Sequence, residues 1–211
     1  MTTVLLTGFE PFAGDHHNPS GEAVSLLASG WEGPEDLVTA VLPVTFAGAA
    51  TELERLLTAH EPDVVVATGL AGGRAAVSVE RVAVNLLDAR IPDNAGLQPV
   101  DTASIEGGPA ALFASLPVKA IVRTVTDAGI PAELSLSAGS FVCNHVFYRA
   151  AAWAAASGAR AGFLHVPWAS GQAPNGEPEM PLEEIARALG LAVRSALDTA
   201  VDDAVPGGAL H

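Results

Sequence analysis

With a single cysteine, Cys143, among 211 residues, the chain cannot form an intrachain disulfide, and a reducing, cytoplasmic setting is expected. Long hydrophobic runs are missing too. Every apolar stretch is cut by Gly, Pro or a charge well before the ~20 residues that a membrane span requires, so no membrane partner is expected. The opening MTTVLLTGFEPF lacks a basic segment and a small-residue cleavage site, and it is not expected to act as a secretory signal. Positive charge is scarce. Ten Lys and Arg stand against 24 Asp and Glu, and a formal charge of −14 repels a phosphate backbone, which argues against nucleic acid as a partner. The acidity is spread along the chain and reads as a solvated surface. Repeats and low-complexity linkers are also lacking. One domain over residues 1–211 is therefore expected, with residues 205–211 as a fraying tail.

What the chain does have is alternation of short apolar runs with longer amphipathic ones, the pattern of βα units around a mostly parallel sheet. The expected fold class is a single-domain three-layer α/β/α arrangement with a mostly parallel, twisted central sheet. VLLTG at 4–8, residues 37–44, the β-branched run at 64–67, 132–137 and AGFLHV at 161–166 read as strands, and 76–88 as extended structure. Helices are expected from a cap at Ser20, over residues 46–60, 117–128 and 143–157, and after Pro181. A long loop covers 89–108, and 171–180 reads as flexible.

Loops at the carboxyl ends of the parallel strands should converge on one edge, where ligands bind in open α/β sheets. Cys143 falls where a helix begins, a position that favours a thiolate and offers N–H donors to an oxyanion; a buried, inert thiol is the competing reading. His165, at a strand end before Pro167, is the natural base for such a thiol, or else a histidine satisfied by a carbonyl. His145 is only two residues from Cys143 on the same helix and faces elsewhere. Glu80 interrupts an apolar strand and needs a partner, either Arg81 or Arg90 in an ion pair, or the ring of His165. Phe9 and Phe12 either wall an apolar slot or anchor their loop on the core. TGLAGGR at 68–74 matches neither phosphate-binding glycine pattern and reads as a tight turn. His16 and His17 beside Asp15 lack metal-ligand spacing, and no metal or cofactor is expected.

Three blocks together resemble the type I pyroglutamyl peptidases, a family of cysteine peptidases: VLLTGFEPFAGDHHNPS, AGGRAAVSVERVAVNLLDARIPDN, and SLSAGSFVCNHVFY followed by GFLHVPW. The resemblance implies a triad of Cys143 as nucleophile, His165 as general base and then acid, and Glu80 as orienter of the imidazole. It further implies that Phe9 and Phe12 sandwich a pyrrolidone ring, that Asn18 supports their loop, and that Arg90 lies by the oxyanion region with the N–H of Cys143. Backbone groups near Phe141 and Val142 and around the 68–73 turn would meet the lactam. Peptides with an N-terminal pyroglutamate are the implied substrates, and a homodimer or homotetramer the implied assembly. The chain departs from the family at Leu70, where many members carry Gln, at Ala13 for Gly, at Trp168 for Tyr, and in a shortened segment 169–180.

Overall fold

A computed structural model describes residues 1–208, the side chain of residue 175 excepted. The apolar runs become β1 (Thr3–Phe9), β2 (Asp36–Leu42), β3 (Val64–Leu70), β4 (Val77–Glu80), β7 (Ala132–Ser135) and β8 (Arg160–Val166), with the short strands β5 (Val82–Val84) and β6 (Ala111–Phe113) between them. The six longer strands form one sheet in the order β2-β1-β3-β8-β4-β7. It is parallel except where β4 runs antiparallel to β8. Helices α1 (Pro19–Ser29), α3 (Val118–Asp127) and α5 (Leu182–Asp198) pack on one face with Val4, Leu6, Val66, Val79 and Leu164. Helices α2 (Phe46–His60) and α4 (Val142–Ser157) cover the other with Leu5, Val65, Ala67, Ala161 and Phe163. Both faces are buried, which is why the central strands read as continuous apolar runs rather than alternating ones. No helix among the described residues is long and apolar enough to cross a membrane.

Strand alternation also aims the polar exceptions. Leu164 and Val166 fill one core and Phe163 the other, so His165 shares the α2/α4 side with Phe163; Val77 and Val79 likewise leave Glu80 on that side. In the β4–β8 ladder Ser78 opposes His165 and Glu80 opposes Phe163, which makes Glu80 and His165 diagonal neighbours.

Several details differ from the sequence reading. Asn18, not Ser20, caps α1, because Pro19 takes the first helical position, where its missing N–H costs nothing. The extended stretch 76–88 is broken at Arg81: β4 stays in the main sheet, while β5 leaves it to pair with β6, a strand without sequence signal. Segment 171–180 carries a turn of 3-10 helix at Pro174–Gly176 and the strand β10 (Glu179–Met180), which pairs with β9 (Trp168–Ala169). At the C-terminus the Asp202 carboxylate accepts from Lys119 N and Ala120 N, capping α3, whose own cap position is held by Pro117. The Val205 carbonyl accepts from Lys119 Nζ, and the last residues expected to fray, 209–211, lie outside the described residues.

The end of β1 crosses the first turn of α1 backbone to backbone. A Cβ on Gly8 would sit 2.5 Å from the Ser20 carbonyl oxygen, so only glycine permits this approach. Gly8→Ala should therefore lower stability by about 1–3 kcal/mol, read from urea denaturation; an unchanged midpoint would contradict the packing.

Candidate active site

Helix α4 starts at Val142, and Phe141 at its cap position makes no side-chain bond to the first turn. The N–H groups of Val142, Cys143 and Asn144 therefore have no partner within the helix and no side-chain cap, and they are available to an anion beside the thiol. Cys143 Sγ lies against the end of β3: a Cβ on Gly69 would come within 2.7 Å of it. Burial, reinforced by the Glu80 carboxylate, pushes the thiol up to about 12, outweighing the opposing influence of its own backbone N–H and of Arg74. The helix start does not by itself create a thiolate.

Behind the thiol stands a chain of polar groups. His165 Nδ1 donates to Glu80 Oε1 at 2.7 Å, and Arg74 donates from a guanidinium nitrogen to the same oxygen at 2.8 Å. Glu80 is fully buried and His165 is 5% exposed. Burial pushes Glu80 up, but the hydrogen bond from His165, then Ser135 and the Arg74 charge, hold its carboxyl below the usual range. An ionised carboxylate can only accept, so Nδ1 carries the hydrogen and Nε2 is the bare, basic nitrogen. Burial lowers His165 more than its bond to Glu80 raises it, and the ring rests neutral. Of the three partners weighed for Glu80, the structure selects His165; the cation it adds is Arg74 rather than Arg81 or Arg90.

Thiol and imidazole open on a cavity of about 160 Å3, lined also by Phe9, Phe12, Leu70, Phe141 and Val142. Phe141 joins the aromatic wall, its ring 5.7 Å from that of Phe12 and 5.3 Å from that of Phe46. Asn18 reaches the same wall and holds the loop: its Oδ1 accepts from Ser20 N and Oγ, its Nδ2 donates to Glu10 O at 2.8 Å, and Ser20 Oγ accepts from Phe9 N at 3.0 Å. A larger, open depression of about 460 Å3 near Pro62, Trp153 and Gly158 has neither thiol nor imidazole in its walls.

Residues not singled out from sequence brace this arrangement. Asn94 Nδ2 donates to Glu10 Oε1 and to Pro11 O, tying the long loop to the Phe12 loop, while Asp93 accepts from Phe46 N at 2.9 Å. Asn144, next to the thiol, exchanges bonds with Val84 N and O and donates to Leu86 O, which fixes the first turn of α4 against β5. His145 faces away, bonded to Ser104 Oγ at 2.7 Å, and burial pushes it down to about 4. Arg90 is exposed and is not among the residues that line the cavity. His17 pairs with Glu22, and among the described residues no group of three or more His, Cys, Asp or Glu is placed to hold a metal ion.

Comparison with known proteins matches residues 2–199 to the family model described as pyroglutamyl peptidase. Pyrrolidone-carboxylate peptidase 1 of Ralstonia nicotianae is 48% identical, with both chains covered in full. The pyrrolidone-carboxylate peptidase of Clavibacter michiganensis is 46% identical, again over the whole of both chains. Among solved structures, the pyrrolidone carboxyl peptidase from Thermococcus litoralis superposes with a TM-score of 0.93 at 41% identity, covering 98% of this chain and 100% of that one. Pyroglutamyl peptidase I of Bacillus amyloliquefaciens gives 0.92 at 41% identity, with 96% and 100% covered.

A thiol pushed up to about 12 should react slowly with iodoacetamide. Labelling of Cys143 at neutral pH, followed by mass spectrometry, should run at least about tenfold below a thiol of ordinary pKa and climb with pH through 9 without levelling. A plateau reached below pH 7 would show a preformed thiolate–imidazolium pair instead.

Proposed function

Because the chain belongs to the pyroglutamyl peptidase family, we propose that Cys143, His165 and Glu80 carry out its cysteine-exopeptidase reaction, hydrolysing the amide after an N-terminal pyroglutamyl residue. The observation that carries the assignment is the bond from His165 Nδ1 to the buried Glu80, which turns a basic Nε2 toward the cavity that Cys143 also lines. Nε2 takes the thiol proton as Sγ attacks the acyl carbonyl carbon of the pyroglutamyl residue. The developing oxyanion meets the uncapped N–H groups at the start of α4. Collapse breaks the C–N bond; the Nε2 proton goes to the departing amine, leaving a thioester on Cys143. Water, deprotonated by the same nitrogen, then attacks the thioester carbon, releasing pyroglutamate and restoring the thiol.

The cavity suits the substrate. Its volume of about 160 Å3 corresponds to about five waters of liquid, room for one small lactam ring between Phe9, Phe12 and Phe141. A pyroglutamyl residue has no free α-amine, so a slot without a carboxylate on its wall fits it. An N-terminal proline lacks the ring carbonyl and would leave buried donors unpaired. Leu70 offers no polar contact on this wall, which leaves backbone groups near Phe141 and Val142 to meet the lactam. A cytoplasmic location, supported by the lone free thiol, and a homodimer or homotetramer, supported by exposed apolar residues such as Leu97, Val100 and Phe113, complete the proposal.

Two outcomes are expected with a chromogenic pyroglutamyl amide. Cys143→Ser should abolish turnover while retaining affinity for a pyroglutamyl ligand, and Glu80→Gln should lower kcat by about 10²–10⁴ with little change in KM. Turnover that survives Cys143→Ser would exclude the assigned nucleophile. Since the neutral ring is the active form and burial lowers His165, kcat/KM should fall only as pH drops below about 6.5. An acid limb lying above that value would contradict the burial effect.

A further inference from the structure

The Glu80 carboxylate is fully buried, and its close contacts fall on one oxygen: Oε1 accepts from both His165 and Arg74, while Oε2 has no partner at hydrogen-bond distance and the neutral Ser135 hydroxyl is the other group that bears on the carboxylate. A neutral imidazole gives this carboxylate a hydrogen bond but no charge, and an unbalanced buried charge costs several kcal/mol. Two groups could supply the missing positive charge, a proton on His165 or the guanidinium of Arg74. The first would occupy both ring nitrogens and leave no base for Cys143. The second is permanent, because arginine keeps its proton in proteins.

Resting on the triad reading above, we propose that Arg74 is a positioning residue of this reaction: its guanidinium, on the same Glu80 oxygen that holds the imidazole, takes the place of a proton on His165 and keeps that ring available as the base. With Arg74 in place, a negative Glu80, a positive Arg74, a neutral His165 and a neutral Cys143 add up to an uncharged cluster. The charged and titratable groups bearing on it come from each surrounding element: Glu80 on β4, His165 on β8, Cys143 on α4 and Arg74 on the turn after β3. Farther out, Glu133 on β7 accepts from Ser78 Oγ at 2.8 Å, and Glu177 accepts from Trp168 Nε1 at 3.0 Å. The Arg74 charge acts downward on both His165 and Cys143, in the direction the proposal requires. Its turn is also well placed to sense the site, since Gly69 abuts Sγ and Leu70 lines the cavity. A Gly-rich turn thus ends in a functional cation.

The test compares R74Q and R74K with the wild-type protein. NMR follows protonation of the His165 ring, its signal identified by loss in H165Q, and kcat/KM for a chromogenic pyroglutamyl amide is measured against pH. R74Q should protonate His165 at a pH higher by about one unit and move the acid limb with it, a loss of about tenfold in kcat/KM at acidic pH with KM nearly unchanged. R74K, whose ammonium can make the single contact that Arg74 makes, should restore both. R74Q with wild-type titration overturns the proposal, as does R74K that matches R74Q while both melt cooperatively. If R74Q does not fold, R74K decides alone: wild-type titration supports the proposal, and an upward displacement overturns it. The titration needs no turnover. A protein inactive on the amide whose His165 still responds to R74Q would sink the peptidase reading and leave the role of Arg74 standing.

Discussion

Everything in the site turns on a carboxylate withdrawn from the protein surface. Glu80 is completely buried at the end of β4, and it stays ionised because His165 and Arg74 both donate to one of its oxygens. Breaking such a pair from one side costs far more than the pair's net contribution to stability, because the remaining charge is stranded. The carboxylate is therefore better explained by what it does to the imidazole than by stability. It fixes the ring's tautomer, and does so from a strand whose Val77 and Val79 are locked in the core.

The same burial sets the character of the proposed nucleophile. A thiol at the first turn of a helix is expected to ionise readily, but Cys143 is half-buried in an apolar wall near a carboxylate, and both effects push it upward. His165 is pushed the other way by burial and rests neutral. A neutral thiol beside a neutral base needs proton transfer to accompany attack, so charge appears only when a carbonyl is in place to receive it. In the proposed reaction the uncapped N–H groups of α4 serve the oxyanion rather than a resting thiolate.

Much of this was legible in the sequence because periodicity and composition are local. The β-branched run at 64–67, the helix over 46–60 and the strand carrying His165 all lie where their patterns place them. Position alone left Cys143 and His165 each with a plain structural alternative, which the resemblance of their motifs decided, whereas Glu80 was readable only as a problem in need of a partner. Arg74 was not found because its signal lies in three dimensions: a turn six residues upstream of Glu80 brings its guanidinium back onto the carboxylate. Asp93, Asn94 and Asn144 were missed for the same reason, as their hydrogen bonds go to backbone groups far along the chain. The pairing of β5 with β6 was hidden because three-residue strands leave no periodicity to read.

Nucleophile identity is tested most directly by trapping the covalent intermediate. Incubation with a pyroglutamyl aldehyde carrying 13C at its carbonyl should move that carbon's NMR signal into the hemithioacetal range as the Cys143 thiol adds across the C=O bond, and should give no such signal with the Cys143→Ser protein. An adduct on any other residue, or tight binding of the aldehyde with no covalent product at Cys143, would contradict a thioester mechanism at this site.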